Sequence, residues 1–174
     1  TLVTFWARRL DTSQQSEISL WAVPVLGGSP RVYLDGGAEF AWSDDGKRLA
    51  YHTPGPGDPL FVRDAGQTSP PTQIFSAPPG LHSHFPIWSP DGAFIYFVQG
   101  TVPDRMDIWR MRPTGESPER ITHHVGVVTY PVFLNQRTLP YGATDRDGSG
   151  PSLHTVDVEE GVPRRVNAGV DRFT

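Results

Sequence analysis

Two stretches of this chain carry side chains whose types and spacing suit chemistry. The first is His82-Ser83-His84. Alternate residues of a strand share a face, so both imidazoles would lie on one side. Zinc or copper is held by such nitrogens, but a metal centre needs three or four converging ligands. His123-His124 lies in the corresponding connection one repeat later and is the candidate to complete a set. The second stretch is Asp145-Arg146-Asp147-Gly148-Ser149-Gly150. Calcium takes oxygens from alternate positions around a sharp glycine turn, and Asp145, Asp147 and Ser149 alternate. An EF-hand would have a bidentate Glu at its twelfth place, where this chain has Val156, with Asp157 next. A plain polar loop between strands accounts for the same residues.

Other chemistry finds less footing. There is no Gly-x-Ser-x-Gly elbow for a nucleophile. Ser83 lies beside two histidines in sequence, but a strand splays neighbours apart. Gly55-Pro56-Gly57 lacks the Lys-Ser/Thr of a phosphate loop. Cysteine is absent, which excludes disulfides, thiol catalysis and cysteine-held zinc. Arg110 and Arg112 project together and read as a solvated outer face with Arg120; docking of an anionic partner is the alternative.

These side chains need a scaffold, and the scaffold is written as a repeat. Phe40-Ala41-Trp42-Ser43-Asp44-Asp45-Gly46 returns 46 residues later as Pro86-Ile87-Trp88-Ser89-Pro90-Asp91-Gly92. A worn copy, Tyr130-Pro131-Val132-Phe133-Leu134-Asn135-Gln136-Arg137, follows 45 residues after the second. A fixed period of about 40–50 residues means stacked or ring-arranged supersecondary units. The 174 residues include 18 Gly and 18 Pro, far too many for a helical protein and suited to short strands with tight turns. Apolar runs are too short for a membrane-spanning helix. The net charge is −4, so a basic nucleic-acid face is not expected.

Within the middle unit the strands fall near 84–88, 94–99, 107–111 and 119–122. Ser89-Pro90-Asp91-Gly92 makes the first turn: proline presets φ, Asp bonds nearby backbone and Gly takes the left-handed corner. Four antiparallel strands per period make one propeller blade. The unit before has strands near 39–42, 48–53, 59–63 and 72–75. The unit after has them near 129–133, 138–143, 152–157 and 164–166. Residues 2–8, 18–24 and 31–34 match only the second, third and fourth strands of a blade. The fold is therefore expected to be all-β, a propeller of about four blades. Its units run 1–37, 38–83, 84–128 and 129–169, with a stub at 170–174. Three units are complete and one is divided between the termini. The stub is too short to replace a whole inner strand, so a piece of a larger ring is preferred to a closed four-bladed one. Open blade edges would then favour self-association. Trp42 and Trp88 recur at one position, as do Trp21, Phe61 and Trp109, which argues for packing between blades rather than ligand stacking.

Pro86-x-Trp88-Ser89-Pro90-Asp91-Gly92, Asp107-Ile108-Trp109 and Gly115-x-x-x-Glu119-Arg120-Ile121-Thr122 resemble the WD40-like β-propeller repeat of the Tol-Pal translocation protein B family. The unit at 40–75 carries the resemblance less fully, and that at 129–167 in outline. It implies a bacterial protein, with a periplasmic or extracytoplasmic setting favoured. The same repeat serves peptidases of the prolyl-oligopeptidase type, oligogalacturonate lyases, and sensor regions of regulators and kinases. The function expected is a non-catalytic platform for a protein or peptide partner, or for ligand sensing, without a cofactor. The alternative is the propeller part of a larger enzyme.

Starts of inner strands line the channel mouth of a propeller, where loops gather. By alignment these are Glu39, Phe85, Tyr130 and Phe173, with His84 beside them. They are the expected binding surface. A calcium site at Asp145, Asp147 and Ser149 would raise the melting temperature in millimolar calcium, and a chelator would reverse the rise. A polar loop predicts no shift.

Overall fold

The Trp-Ser-x-Asp-Gly phrase folds into the same hairpin turn both times it occurs. Ser43 Oγ donates to Asp45 Oδ1 at 2.7 Å and accepts the Arg48 N–H at 2.9 Å. Asp45 Oδ1 also accepts the Lys47 N–H at 3.0 Å. Ser89, Phe94, Asp91 and Ala93 repeat these contacts at 2.6, 2.9 and 3.0 Å. Gly46 and Gly92 take the left-handed corner at φ 67° and 69°. The worn unit has neither the Ser nor the Asp. There Asn135 Oδ1 accepts the N–H groups of Arg137 and Thr138 at 2.9 and 2.8 Å. The hairpin still closes, with Leu134 N–H on Thr138 O at 3.0 Å. A side-chain oxygen that gathers backbone donors is what the turn needs, and Asp or Asn supplies it.

The structure, a computed structural model, describes residues 1–8, 18–66, 70–102, 104–145 and 147–166. They form four antiparallel sheets without a helix. The first has three strands, β1 (Leu2–Arg8), β2 (Ile18–Pro24) and β3 (Arg31–Asp35). The second has β4 (Ala38–Trp42), β5 (Arg48–His52), β6 (Leu60–Asp64) and β7 (Thr72–Phe75). The third has β8 (His82–Trp88), β9 (Ile95–Thr101), β10 (Arg105–Met111) and β11 (Glu119–Arg120). The fourth has β12 (Val128–Thr129), β13 (Thr138–Ala143), β14 (Ser152–Asp157) and β15 (Pro163–Arg165). Strands pair in chain order within each sheet, the topology of a propeller blade. Among the described residues the first sheet has three strands and no inner one. The stub at 170–174, Phe173 included, lies outside the described residues.

The strand expected at 129–133 is shorter than its counterparts. Pro131 has no N–H for the ladder, and Tyr130 takes φ +49°, so β12 ends at Thr129. Pairing resumes with Val132 N–H on Pro140 O at 3.0 Å.

That break is a regular feature of the inner strands. From Ala38 to Ala41, three steps on β4 oppose two on β5, from His52 to Ala50. From His84 to Ile87, three steps oppose Val98 to Tyr96. Thr129 to Val132 against Gly142 to Pro140 makes the same count. The extra residue makes a β-bulge. Glu39, Phe85 and Tyr130 occupy its left-handed position at φ 43°, 52° and 49°. An L side chain there costs about 1–2 kcal/mol relative to right-handed backbone.

The apolar layers lie between sheets. Leu20, Leu49 and Tyr51 fill the first seam. Leu60, Trp88, Ile95, Phe97 and Met111 fill the second, and Val98, Ile108, Leu139, Tyr141 and Val156 the third. Trp88 is 6% exposed and its indole N–H donates to Ala41 O at 3.2 Å across the seam. The Arg48 guanidinium lies over its ring, 4.3 Å from the centroid. Trp42 reaches back in the same way to Thr4 Oγ1 at 3.0 Å. In the worn unit Phe133 stands in for Trp and meets Tyr96 edge-on at 5.0 Å. Leu2, Val3, Phe5 and Trp6 of β1 remain exposed. Among the described residues no helix is long and apolar enough to cross a membrane.

Trp88→Ala is expected to cost about 3–5 kcal/mol in urea denaturation, because it empties the second seam. Trp88→Phe keeps most of the volume and is expected to cost appreciably less. Equal costs would mean that the volume of this side chain is not what holds the seam.

Candidate functional site

The bulges bring Glu39, His84, Phe85 and Tyr130, the expected mouth residues among those described, into one strip across three blades. Glu39 Oε2 accepts the Phe85 N–H at 3.0 Å, from one blade to the next. The Phe85 ring meets the Tyr130 ring at 4.8 Å, across the following seam. His84 packs beside Phe85 at 6.0 Å between ring centroids. Tyr130 is 71% exposed, so one end of the strip is open to solvent.

Behind the strip lies a cluster of imidazoles and carboxylates at the second seam. Glu39 Oε2 is 3.1 Å from His52 Nε2 and 3.2 Å from His84 Nδ1. An ionised carboxylate only accepts, so both facing nitrogens carry protons. On its other side, His84 Nε2 is 3.6 Å from Asp58 Oδ2. His82 Nδ1 reaches the same oxygen at 2.7 Å. Asp58 sits in the connection before β6 at φ +40°, and its Oδ1 accepts the Gly55 N–H at 3.3 Å. His52 and Asp58 are buried, Glu39 and His84 partly so, and His82 is half-exposed.

Burial alone would raise the Glu39 pKa. Hydrogen bonds from His52 and His84, the His52 charge and the Phe85 N–H outweigh it and bring the carboxyl down to about 2. Burial works against a charged His84 as well. There the Glu39 hydrogen bond, together with the charges of Glu39 and Asp58, wins and holds the imidazole above its ordinary range. The seam thus favours the ionised carboxylate and shifts His84 toward its protonated form.

The other sequence candidates fall elsewhere. His124 does not join His82 and His84. Its Nε2 lies 2.5 Å from Tyr141 Oη, and its ring meets that of His154 edge-on at 5.3 Å. His123 is exposed. In the 145–149 turn, Ser149 Oγ donates to Asp147 Oδ1 at 2.6 Å. The Ser149 N–H reaches the same oxygen at 2.9 Å. Asp145 Oδ2 accepts from Ser152 Oγ at 3.2 Å and from Arg165 at 3.3 Å. These contacts make a closed polar turn. Arg110 is paired with Glu119 at 2.9 Å and Glu159 at 3.2 Å, and Arg120 with Asp107.

Two members of the cluster, His52 and Asp58, were not picked out by spacing. Both depart from the repeat. His52 stands where the next units have Val98 and Gly142, and Asp58 stands where the next has Met106. A polar residue at an otherwise apolar repeat position is the signal that would have found them.

No family model matches the chain. An uncharacterised protein of Agrobacterium fabrum is 32% identical over 114 residues, covering 64% of this chain and 38% of that protein. A solved structure from Agrobacterium tumefaciens, described as a TolB, superposes with a TM-score of 0.75 at 22% identity, over 94% of this chain and 61% of that one. TolB from Acinetobacter baumannii gives 0.72 at 14%, over 94% and 40%. An oligogalacturonate lyase in complex with manganese gives 0.62 at 17%, over 87% and 42%. A puromycin hydrolase mutant complexed with PGG gives 0.64 at 15%, over 88% and 26%. These likenesses establish a TolB-like propeller fold, and this chain spans less than two thirds of each of these proteins.

The Glu39 contacts predict a pH-dependent seam. A depressed carboxyl contributes stability above its ordinary value of 4.5 and loses it as pH falls toward about 2. A raised imidazole contributes below its ordinary 6.5 and loses it as pH rises through its folded value. The stability difference between wild type and Glu39→Gln should therefore be largest between pH 4.5 and 6.5. There it should be on the order of 3 kcal/mol, and it should shrink on both sides. Urea denaturation in chelator at several pH values measures it. A difference independent of pH would remove the charged pair.

Proposed function

We propose that this propeller segment is a non-catalytic recognition platform for a protein or peptide partner. Its contact surface is the strip Glu39–His84–Phe85–Tyr130. The observation that carries the reading is the bulge. Three successive inner strands hold a non-glycine residue in left-handed backbone at the same place. Strained backbone clusters at functional sites because the surrounding structure over-determines it. Here the strained positions are contiguous. They combine an anchored carboxylate with two aromatic rings, of which Tyr130 is open to solvent. Exposed tyrosine is a preferred anchor at protein interfaces. The likeness to TolB propellers supports a binding role and a bacterial setting.

A second reading makes this segment the propeller portion of a larger enzyme. It is supported by the lyase and the hydrolase, of which this chain matches 42% and 26%.

Tyr130→Ala separates the two. Its ring is largely exposed, so its folding stability should change by less than about 1 kcal/mol. Affinity capture from the source organism, quantified by mass spectrometry, should lose the partners held by the wild type. Retention of every partner by Tyr130→Ala would remove the strip as the contact surface. Cleavage of oligogalacturonate or of a peptide substrate by a protein that contains this segment would favour the enzyme reading.

A further inference from the structure

We propose that Asp58, His82 and His84 form a binding site for one zinc ion, with Glu39 as the group that orients His84. This goes beyond the platform reading and does not depend on it.

The ligand atoms are already gathered. Asp58, His82 and His84 each offer one ligand atom, and these atoms all lie within 4.8 Å of one another. Tetrahedral zinc, with bonds of about 2.0–2.1 Å, holds its ligand atoms about 3.3 Å apart. Asp58 Oδ2 is 2.7 Å from His82 Nδ1 and 3.6 Å from His84 Nε2. Adjustments of about 0.3–0.6 Å bring both to that spacing. His82 and His84 alternate on β8, with ring planes 11° apart, so one face presents both nitrogens.

The supporting groups have the pattern that metal-bound histidines require. A ligating imidazole donates its other N–H to a carboxylate, which fixes the tautomer and the ring. His84 Nδ1–H is given to Glu39 Oε2 at 3.2 Å. That carboxylate is itself held by His52 and the Phe85 N–H. The Nε2 lone pair of neutral His84 then faces the Asp58 carboxylate, acceptor against acceptor. Either a second proton or a metal cation must sit between them. Asp58 is fixed as a ligand should be, its second oxygen held by the Gly55 N–H at 3.3 Å. His82, with its side chain 46% exposed, gives an ion a way in from solvent.

The donor set favours a first-row transition metal or zinc over calcium and magnesium. Two imidazoles and one carboxylate suit zinc, whereas calcium and magnesium want oxygen alone. Three protein ligands leave a fourth position for water or for an incoming donor, the arrangement of an open zinc site.

The test uses the untagged chain, stripped with chelator and titrated with zinc chloride by calorimetry. One equivalent should bind. His82→Ala and Asp58→Asn should each weaken binding at least about tenfold, and Glu39→Gln by about 10–100-fold. His123→Ala should bind as the wild type does. Cobalt(II) should give the intense visible bands of a tetrahedral centre in the wild type and lose them in His82→Ala. The half-exposed place of His82 keeps that variant folded even if Asp58→Asn is not. Absence of stoichiometric zinc binding would leave the proton as the cation between His84 and Asp58 and overturn the proposal. Unchanged affinity in His82→Ala would overturn it as well.

Discussion

Among the described residues, the sheets bury their apolar faces against one another. A four-stranded blade has two faces and too little chain to cover either, so its buried apolar side chains find their partners across a seam. The seam needs sheets about 10 Å apart, with side chains that interlock. The repeated Trp meets that demand twice over. Its ring fills the gap, and its N–H satisfies a group of the previous blade, Ala41 O for Trp88 and Thr4 Oγ1 for Trp42. Where Trp is replaced by Phe133, the contact survives as an edge-on ring pair and the polar tie is gone. A unit of about 45 residues is thus not an independent folding element. Each blade is stable only when stacked on its neighbours, which is why the period could be read before any single strand.

Most of the architecture was legible because turns and seams use local chemistry. Ser-x-Asp-Gly specifies a hairpin wherever it occurs, and Trp three residues before its Asp specifies a seam. The strands of the second and third blades consequently fall within a few residues of where the pattern puts them. The fourth blade shows the limit. Its turn works through Asn135, a different residue with the same oxygen, and its inner strand is cut by Pro131 and the bulge at Tyr130. Bulges are invisible to alternation, because one extra residue shifts the pattern instead of erasing it. Alignment of the repeats nevertheless put Glu39, Phe85 and Tyr130 at equivalent places. What it could not show is that Asp58, from a loop of one blade, would meet His82 and His84 from a strand of the next. That encounter depends on the width of the seam, which no single strand encodes.

The same seam carries two kinds of interaction with different sensitivities. At its middle, Leu60, Ile95 and Met111 pack without polar atoms in need of partners. At its mouth, Glu39, His52, Asp58 and His84 take the place of that packing with charge. Apolar contact there would hold the blades together equally well, and carboxylates and imidazoles bring a desolvation cost that hydrocarbon does not. A charged cluster at one end of an otherwise apolar seam is therefore a departure from what folding requires, and departures of that kind concentrate at functional sites.

The recurring bulge has a further consequence, for how the molecule can vary. One extra residue in each inner strand reverses the alternation of faces between its two ends. The Trp end is locked in phase with the seam, while the mouth end is released from that phase. Exchanges at Glu39, Phe85 and Tyr130 therefore need not move Trp42, Trp88 or Phe133 out of the seam, while Ala38, Ser83 and Val128 beside them stay buried. The inner strand behaves as two modules on one backbone, one that holds the ring together and one free to diversify. A family built on this strand can change what its mouth presents while its frame stays still.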